Sequence, residues 1–261
     1  LMIILGDAFL GDDSSKPNFR NPALLNIQLF MALPLLIILM FVGIWSVSPT
    51  DTFGFGAWLS ATLSYDFVAA KQNTVFWQHA FGVFYVGLMS SMIGTAVGHE
   101  LVHRSSDKLA LLTGRWLLAF SFDSNFSIEH VYGHHRYAAT NRDPATAPRG
   151  RNVYQHIIQS TVEGNISAWN IEKTRLARRN TPLISVHNIF IRGLLMSITI
   201  GLGAFYLGRW AGLSFFIFSG LWTKAILEIV NYMEHYGLVR MENKPVEPRH
   251  SWNTNKKVSS W

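Results

Sequence analysis

The 261-residue sequence predicts an all-α fold, a polytopic bundle of membrane helices with a histidine-rich metal site at one end. Three observations predict this class. Hydrophobic residues make up 49% of the chain and charged residues only 15%, which is too apolar for an ordinary soluble domain. Four segments are long and apolar enough to cross a bilayer, and six histidines cluster near their ends. We expect a single domain over residues 1–261.

The predicted spans follow from the length of the apolar runs, because crossing a bilayer takes about 20 helical residues. They cover about residues 24–47, 75–97, 183–207 and 213–232. Only the stretch GRWAG separates the last two, which predicts a tight helical hairpin. The apolar stretch 109–122 is too short to span, and we expect it to form an interfacial or buried helix.

The basic residues predict the orientation of these spans. Residues 99–180 hold eleven Lys or Arg, whereas residues 48–74 hold only Lys71. By the positive-inside rule the longer segment is cytoplasmic, and every histidine-rich stretch then lies on the cytoplasmic side. The same topology accounts for the net charge of +6, so nucleic acid is not an expected partner.

The motif GHELVHR is the first candidate metal site. His99, Glu100 and His103 fit HExxH, and on a helix this spacing puts two imidazoles one turn apart on one face. The motif is typical of zinc metalloproteases, in which Glu100 would be the general base. A membrane-embedded zinc protease is therefore one alternative, although it leaves the other histidine clusters without a role.

Two further clusters extend this set. IEHVYGHHR contributes His130, His134 and His135, and NYMEHYGLVR contributes His235. The chain contains no cysteine, so any metal must be held by His, Asp or Glu. Six candidate imidazoles exceed the three ligands of a catalytic zinc, which favours two metals, or one metal with bystander histidines. A non-catalytic metal-handling membrane protein is a further alternative. The other histidines are expected not to be ligands: His79, His156, His187 and His250.

The fourth span carries two charges, Lys224 and Glu228, in an otherwise apolar helix. Charges inside a membrane are costly, so they are expected to be paired or functional. Their i, i+4 spacing allows an ion pair, and Glu228 could alternatively orient a ligand histidine. The complete set of expected outer partners of the ligands is Glu100, Glu129, Glu228, Asn231 and Glu234.

Together, GHELVHR, EHVYGHHR, the HHRYAATNRDPA run and NYMEHYGLVR followed by HSWN resemble the integral-membrane non-haem di-iron alkane monooxygenases and their xylene monooxygenase relatives. The resemblance covers nearly the whole chain. It implies a bacterial inner-membrane enzyme that uses O2 and two irons to hydroxylate a terminal methyl group. The implied electron donor is rubredoxin with rubredoxin reductase, or a ferredoxin-type reductase. The implied iron ligands are His99, His103, His130, His134, His135 and His235.

The resemblance also carries a departure and an alternative. In that family a further box resembling LQRHSDHHA follows HSWN, and membrane helices precede the position of Leu1, so we expect a fragment truncated at both ends. Fatty acyl desaturases share the scheme of histidine boxes and form the alternative activity. We expect the hydrophobic substrate to enter from the membrane lipid and to lie along the second span, against Leu88, Met92, Thr95 and Ala96. Ordinary helix packing is the competing explanation for these four residues.

Overall fold

The computed structural model describes residues 2–13, 21–253 and 256–257. Within these ranges the regular structure is helical, apart from an isolated β-bridge between Asp12 and Lys256. The all-α prediction is therefore confirmed. The helices are α1 (Met2–Leu10), α2 (Pro22–Val47), α3 (Phe55–Leu63), α4 (Phe67–Gln72), α5 (Phe76–Ser90), α6 (Ala96–His103), α7 (Lys108–Ala119), α8 (Phe126–Glu129), α9 (His135–Tyr137), α10 (Val153–Arg178) and α11 (Ile189–His235).

Three helical stretches are long and apolar enough to cross a membrane, namely Ala23–Val47, Phe76–His103 and Ile189–His235. The last contains 47 residues, which as one straight helix would measure about 70 Å, more than twice the thickness of the hydrocarbon layer. It is broken at Arg209, where φ is 53°. The segments 189–208 and 210–235 are thus two arms, as the predicted hairpin requires.

Close approach of the two arms depends on glycine. A Cβ atom on Gly212 would lie 2.5 Å from the carbonyl oxygen of Ala204 on the other arm. A Cβ atom on Gly208 would lie 2.9 Å from Ile44 of α2. The glycines that bound the GRWAG turn therefore let both arms pack closely, one against the other and against α2.

Two predicted boundaries differ from the structure. The third span begins at Ile189 rather than near residue 183, because the Asn188 side chain caps the helix by accepting from the Ile191 amide. The second span continues past residue 97 to His103 through a π-helical turn at Ser91–Thr95. A hydropathy profile does not detect the capping side chain that starts a helix. It also misses helical turns that continue from an apolar run into polar residues.

The short apolar stretch predicted at 109–122 forms α7, which is buried along one face and exposed along the other. Ala110, Leu117 and Leu118 are each at most 1% exposed. A Cβ atom on Gly114 of α7 would lie 3.0 Å from the carbonyl oxygen of Gly98 of α6. The two backbones are therefore in contact, and α7 supports the helix that carries the first two histidines.

The segment between α2 and α5 lies at the end of the bundle opposite to these histidines. Asp51 accepts hydrogen bonds from Trp45 Nε1 and from the Gly56 amide, and Lys71 Nζ donates to Ser48 Oγ. The continuous helix from Phe76 to His103 separates the two ends by about 40 Å. Lys71, the single cation of this segment, therefore lies at the end of the bundle far from the histidines.

Candidate metal centre

Four imidazoles meet through their Nε2 atoms, and we call them the four-ring group: His99, His103, His130 and His135. His99 Nε2 lies 2.8 Å from His103 Nε2 and 2.7 Å from His130 Nε2. His135 Nε2 lies 3.1 Å from His130 Nε2. A neutral imidazole has one N–H, so nitrogens that converge on each other in this way are not all satisfied by hydrogen bonds. A metal ion held between His99, His103 and His130 would satisfy these converging nitrogens, and imidazole is a common metal ligand.

A second π-helical turn, His130–His134, directs the rings of the IEHVYGHHR cluster. The His130 and His134 rings stack with centroids 5.0 Å apart, while His130 also contacts the ring of His135. The i, i+4 and i+5 spacing predicted that at least two rings would face one point. The wider turn brings three together, and π-helical turns of this kind are frequent at functional sites.

The remaining two predicted ligands form a separate pair, the two-ring group of His134 and His235. Their ring centroids are 4.9 Å apart, and both residues are buried. His134 Nδ1 lies 3.0 Å from both carboxylate oxygens of Asp143, and His235 Nδ1 donates to the His250 carbonyl at 3.1 Å. With Nδ1 occupied on each ring, Nε2 is left as the ligand atom, which is the usual arrangement of metal-bound histidines.

Asp143 was not selected from the sequence, although it lies in the HHRYAATNRDPA run. It is 4% exposed and also accepts from the Ala145 amide. Burial acts to lower the pKa of His134, but the hydrogen bond and charge of Asp143 outweigh it and raise that pKa. Burial likewise acts to raise the pKa of Asp143, and the hydrogen bond from His134 outweighs it, so this carboxyl stays ionised.

Burial has the largest influence on the pKa values of Glu129 and His130, at the start of the second π-helical turn. It lowers the pKa of His130, and the neighbouring imidazoles lower it further, so this ring is neutral and able to bind a metal. Burial also raises the pKa of Glu129 to about 7, helped by the charge of Asp143. The Glu129 carboxylate lies over Gly133 and accepts from Ser167 Oγ at 3.4 Å, beside the ligand-bearing turn.

The predicted outer partners Glu100 and Glu234 take different positions. The side chain of Glu100 is 54% exposed and pairs with Arg104 at 3.0 Å. That carboxylate does not face the four-ring group, whereas the zinc protease alternative needs it at the metal. Glu234 Oε2 lies 3.7 Å from His235 Nε2, on the side of the ring that offers the ligand atom.

Glu228 and Asn231 belong to a buried charged cluster, the ion triad of Asp123, Lys224 and Glu228. Lys224 Nζ lies 2.6 Å from Glu228 Oε1 and 2.9 Å from Asp123 Oδ2. Asn231 Nδ2 donates to the second oxygen of Glu228 at 3.1 Å. Of the two roles open to Glu228, the structure shows the ion pair with Lys224. Asp123 joins this pair from a distant part of the chain, which no sequence spacing indicated.

A small polar cavity separates the ion triad from the four-ring group. Its volume of about 30 Å³ is enough for one or two water molecules. Glu129 and His130 line one side, and Lys224 and Glu228 line the other. The two polar regions are therefore neighbours within the bundle.

The four histidines not expected to be ligands lie outside both groups. His79 is at the far end of the second span, and the exposed His187 contributes its carbonyl to Arg175. The His250 ring accepts from the Glu247 amide. His156 is fully buried against the ring of Tyr232, and burial lowers its pKa.

The expected substrate stripe of the second span is divided between two faces. Leu88, Met92 and Ala96 are exposed on the outside of the helix, where they would contact lipid, while Thr95 is 5% exposed and points into the bundle. The π-helical turn at Ser91–Thr95 adds a residue to one turn and so shifts the faces of the residues on either side of it.

Comparison with known proteins gives consistent relatives. Residues 75–261 match the fatty acid desaturase family. The chain is 33% identical over 175 residues to alkane 1-monooxygenase 1 of Pseudomonas aeruginosa, covering 65% of this chain and 46% of that protein. It is 35% identical over 179 residues to alkane 1-monooxygenase 2 of Alcanivorax borkumensis, with the same coverage. It is 34% identical over 160 residues to the xylene/toluene monooxygenase hydroxylase component XylM of Pseudomonas putida, covering 60% and 42%.

The chain spans about half the length of these relatives. The family match covers well over half of the chain and includes all six predicted ligands. Together with the cluster of histidine donors, this match indicates an iron site. The apolar helices agree with the membrane enzymes among the relatives, so the chain is an integral membrane protein and belongs to the fatty acid desaturase family.

Proposed function

We propose that the protein is a membrane monooxygenase that hydroxylates the terminal methyl group of an alkane, or the methyl group of a methylarene. The observation that carries this proposal is the convergence of six imidazoles from three separate sequence motifs at one end of a membrane helix bundle. The relatives' names support the choice, since they include alkane 1-monooxygenases and a xylene/toluene monooxygenase component.

We assign two irons to this centre. The four-ring group would supply ligands to one and the two-ring group to the other. His130 and His134, one from each group, stack on each other. Bound iron would supply the redox chemistry that reduces O2 and oxidises the C–H bond. The overall reaction takes the hydrocarbon, O2, two electrons and two protons to the alcohol and water.

The protein's own residues position the ligands and exclude water. Asp143 and the His250 carbonyl hold Nδ1 of the two-ring group, so that each ring keeps one tautomer and one orientation. Phe126 stacks on His130 with centroids 4.3 Å apart and lies edge-on to His99 at 5.8 Å. This ring covers one side of the four-ring group with an apolar surface.

We place the centre on the cytoplasmic face of the bacterial inner membrane, because residues 99–180 hold eleven Lys or Arg and such segments favour the cytoplasm. The arms of α11 return the chain to the side that holds α6 and the second π-helical turn. The substrate would come from the membrane lipid, and the electrons from a soluble donor, rubredoxin with its reductase or a ferredoxin-type reductase.

Fatty acyl desaturation is the second candidate, because the matching family carries that name. It uses the same oxidant and the same two electrons but forms an alkene. The products therefore distinguish the two activities.

The test is to supply membranes containing the protein with a reductase system, O2, and octane, p-xylene or a saturated acyl substrate. We expect 1-octanol or a methylbenzyl alcohol by gas chromatography and mass spectrometry, and none with the His130→Ala variant. An alkene from the acyl substrate without either alcohol would establish the desaturase. Zinc instead of iron in the purified protein, together with peptide cleavage, would overturn both candidates in favour of the protease.

A further inference from the structure

A large groove lies between α10 and the second π-helical turn, with a volume of about 840 Å³. Its charged lining is nearly all of one sign. We call it the arginine groove, and its charged residues are Arg136, Arg142, Arg175, Arg178, Arg179 and Glu163.

Most of this positive charge is not neutralised. Arg142 makes an exposed contact of 3.4 Å with Glu242, and Arg175 pairs with the buried Glu172 at 2.6 Å. Among the residues that the structure describes, Arg178 and Arg179 have no salt bridge, and neither has Arg136.

The orientation of the protein in the membrane does not explain the grouping. The positive-inside rule concerns how many basic residues a segment holds, not whether their side chains share a surface. Of the eleven basic residues in segment 99–180, five line this one groove. A concentration of this kind produces a strong local potential that attracts anionic surfaces.

The groove is lined in part by the chain segment that carries His130, His134 and His135. Arg136 directly follows His135, which is exposed and contacts His130 Nε2 at 3.1 Å. Tyr132 and Tyr137, from the same part of the chain, also line the groove, and the Arg142 guanidinium lies over the Tyr137 ring at 4.1 Å from its centroid. An electron donor seated here would lie against the segment that carries these candidate ligands.

We propose that the arginine groove is the docking site of an acidic electron-donor protein. The inference rests on the proposed function, because a monooxygenase consumes two electrons that must come from outside this chain. An arginine guanidinium can bind a carboxylate through two parallel hydrogen bonds, and complementary charge increases the rate of association between two proteins. A lipid phosphate would bind the same guanidinium groups but would not account for two tyrosines from the ligand-bearing segment along the same groove.

The test measures binding of reduced rubredoxin to the purified full chain in nanodiscs of neutral lipid. Rubredoxin whose carboxylates have been converted to amides is the matched probe. The variants are Arg179→Glu and the pair Arg178→Glu with Arg179→Glu. Lys173→Glu is the control, because Lys173 is an exposed cation on the same helix that does not line the groove.

We expect the double variant to raise the rubredoxin Kd about tenfold at low salt, while Lys173→Glu changes it less than about twofold. Amidated rubredoxin should bind the parent as weakly as rubredoxin binds the double variant. Equal affinity of parent and double variant, or failure of the parent to bind, would overturn the docking site. So would a double variant that loses binding only to vesicles of phosphatidylglycerol, since that result identifies a lipid headgroup site.

Iron content and methyl hydroxylation driven by dithionite are measured on the same samples. A chemical reductant does not require docking, so the double variant should match the parent in both measurements. Absence of hydroxylation in the parent would count against the proposed function, whereas a parent that hydroxylates but does not bind rubredoxin would count against the groove.

Discussion

The ion triad and the histidine groups are two polar regions buried side by side in an apolar bundle, and they differ in how their polar atoms are satisfied. In the triad, opposite charges lie within 2.9 Å of each other. In the four-ring group, imidazole nitrogens face other imidazole nitrogens, at distances as short as 2.7 Å. The triad is complete by itself, whereas the imidazoles need a cation. The same i, i+4 spacing therefore serves structure in one region and metal binding in the other.

The largest effect is expected from His130→Ala, because this ring contacts members of both histidine groups. We expect the iron content to fall to less than about half that of the parent, measured by mass spectrometry of the purified protein. His156→Ala is the control, since that ring belongs to neither group, and it should leave the iron content unchanged. Equal iron loss in the two variants would remove the distinction between ligand and non-ligand histidines.

Next in size is the effect of Lys224→Met, which leaves Asp123 and Glu228 buried without their cation. Removing one partner of a buried ion pair costs about 3–5 kcal/mol of unfolding free energy. The measurement is unfolding in detergent titrated with SDS, with Lys173→Met as the control at an exposed position. The fraction that remains folded should keep its iron, and parallel loss of iron would mean that the triad takes part in the metal site.

A smaller effect is expected from Asp143→Asn, which keeps the shape but removes the charge that orients His134. Loss of such an outer partner weakens metal binding by about 10–100-fold. Competition with an iron chelator measures the change. His235→Ala, which removes a ring rather than its support, should have a larger effect, and the reverse order would contradict the role given to Asp143.

The smallest effect is expected from Glu100→Gln, because its exposed ion pair with Arg104 contributes at most about 1 kcal/mol to stability. Iron affinity and methyl hydroxylation should change less than about twofold. Loss of hydroxylation with unchanged iron content would instead show that Glu100 takes part in the reaction rather than only pairing with Arg104.

Much of the fold could be predicted because hydropathy and charge act locally along the chain. The hairpin of α11 follows from apolar length and a five-residue connection. The start of α11 could not be predicted to the residue, because Asn188 and Glu172 set it through hydrogen bonds to Ile191 and Ile189. The packing of α7 against α6 was equally beyond reach, since it depends on contact between Gly98 and Gly114.

The sequence by itself determined the class of protein, the helical stretches apolar enough to cross a membrane and the six candidate imidazoles, since these depend on composition and on spacing within single helices. Only the tertiary structure decided that the imidazoles form two groups, that Asp143 supports one of them, and that Asp123 completes the triad. Those three outcomes depend on side chains from different helices, and the two π-helical turns shift helical faces by amounts that no fixed period describes.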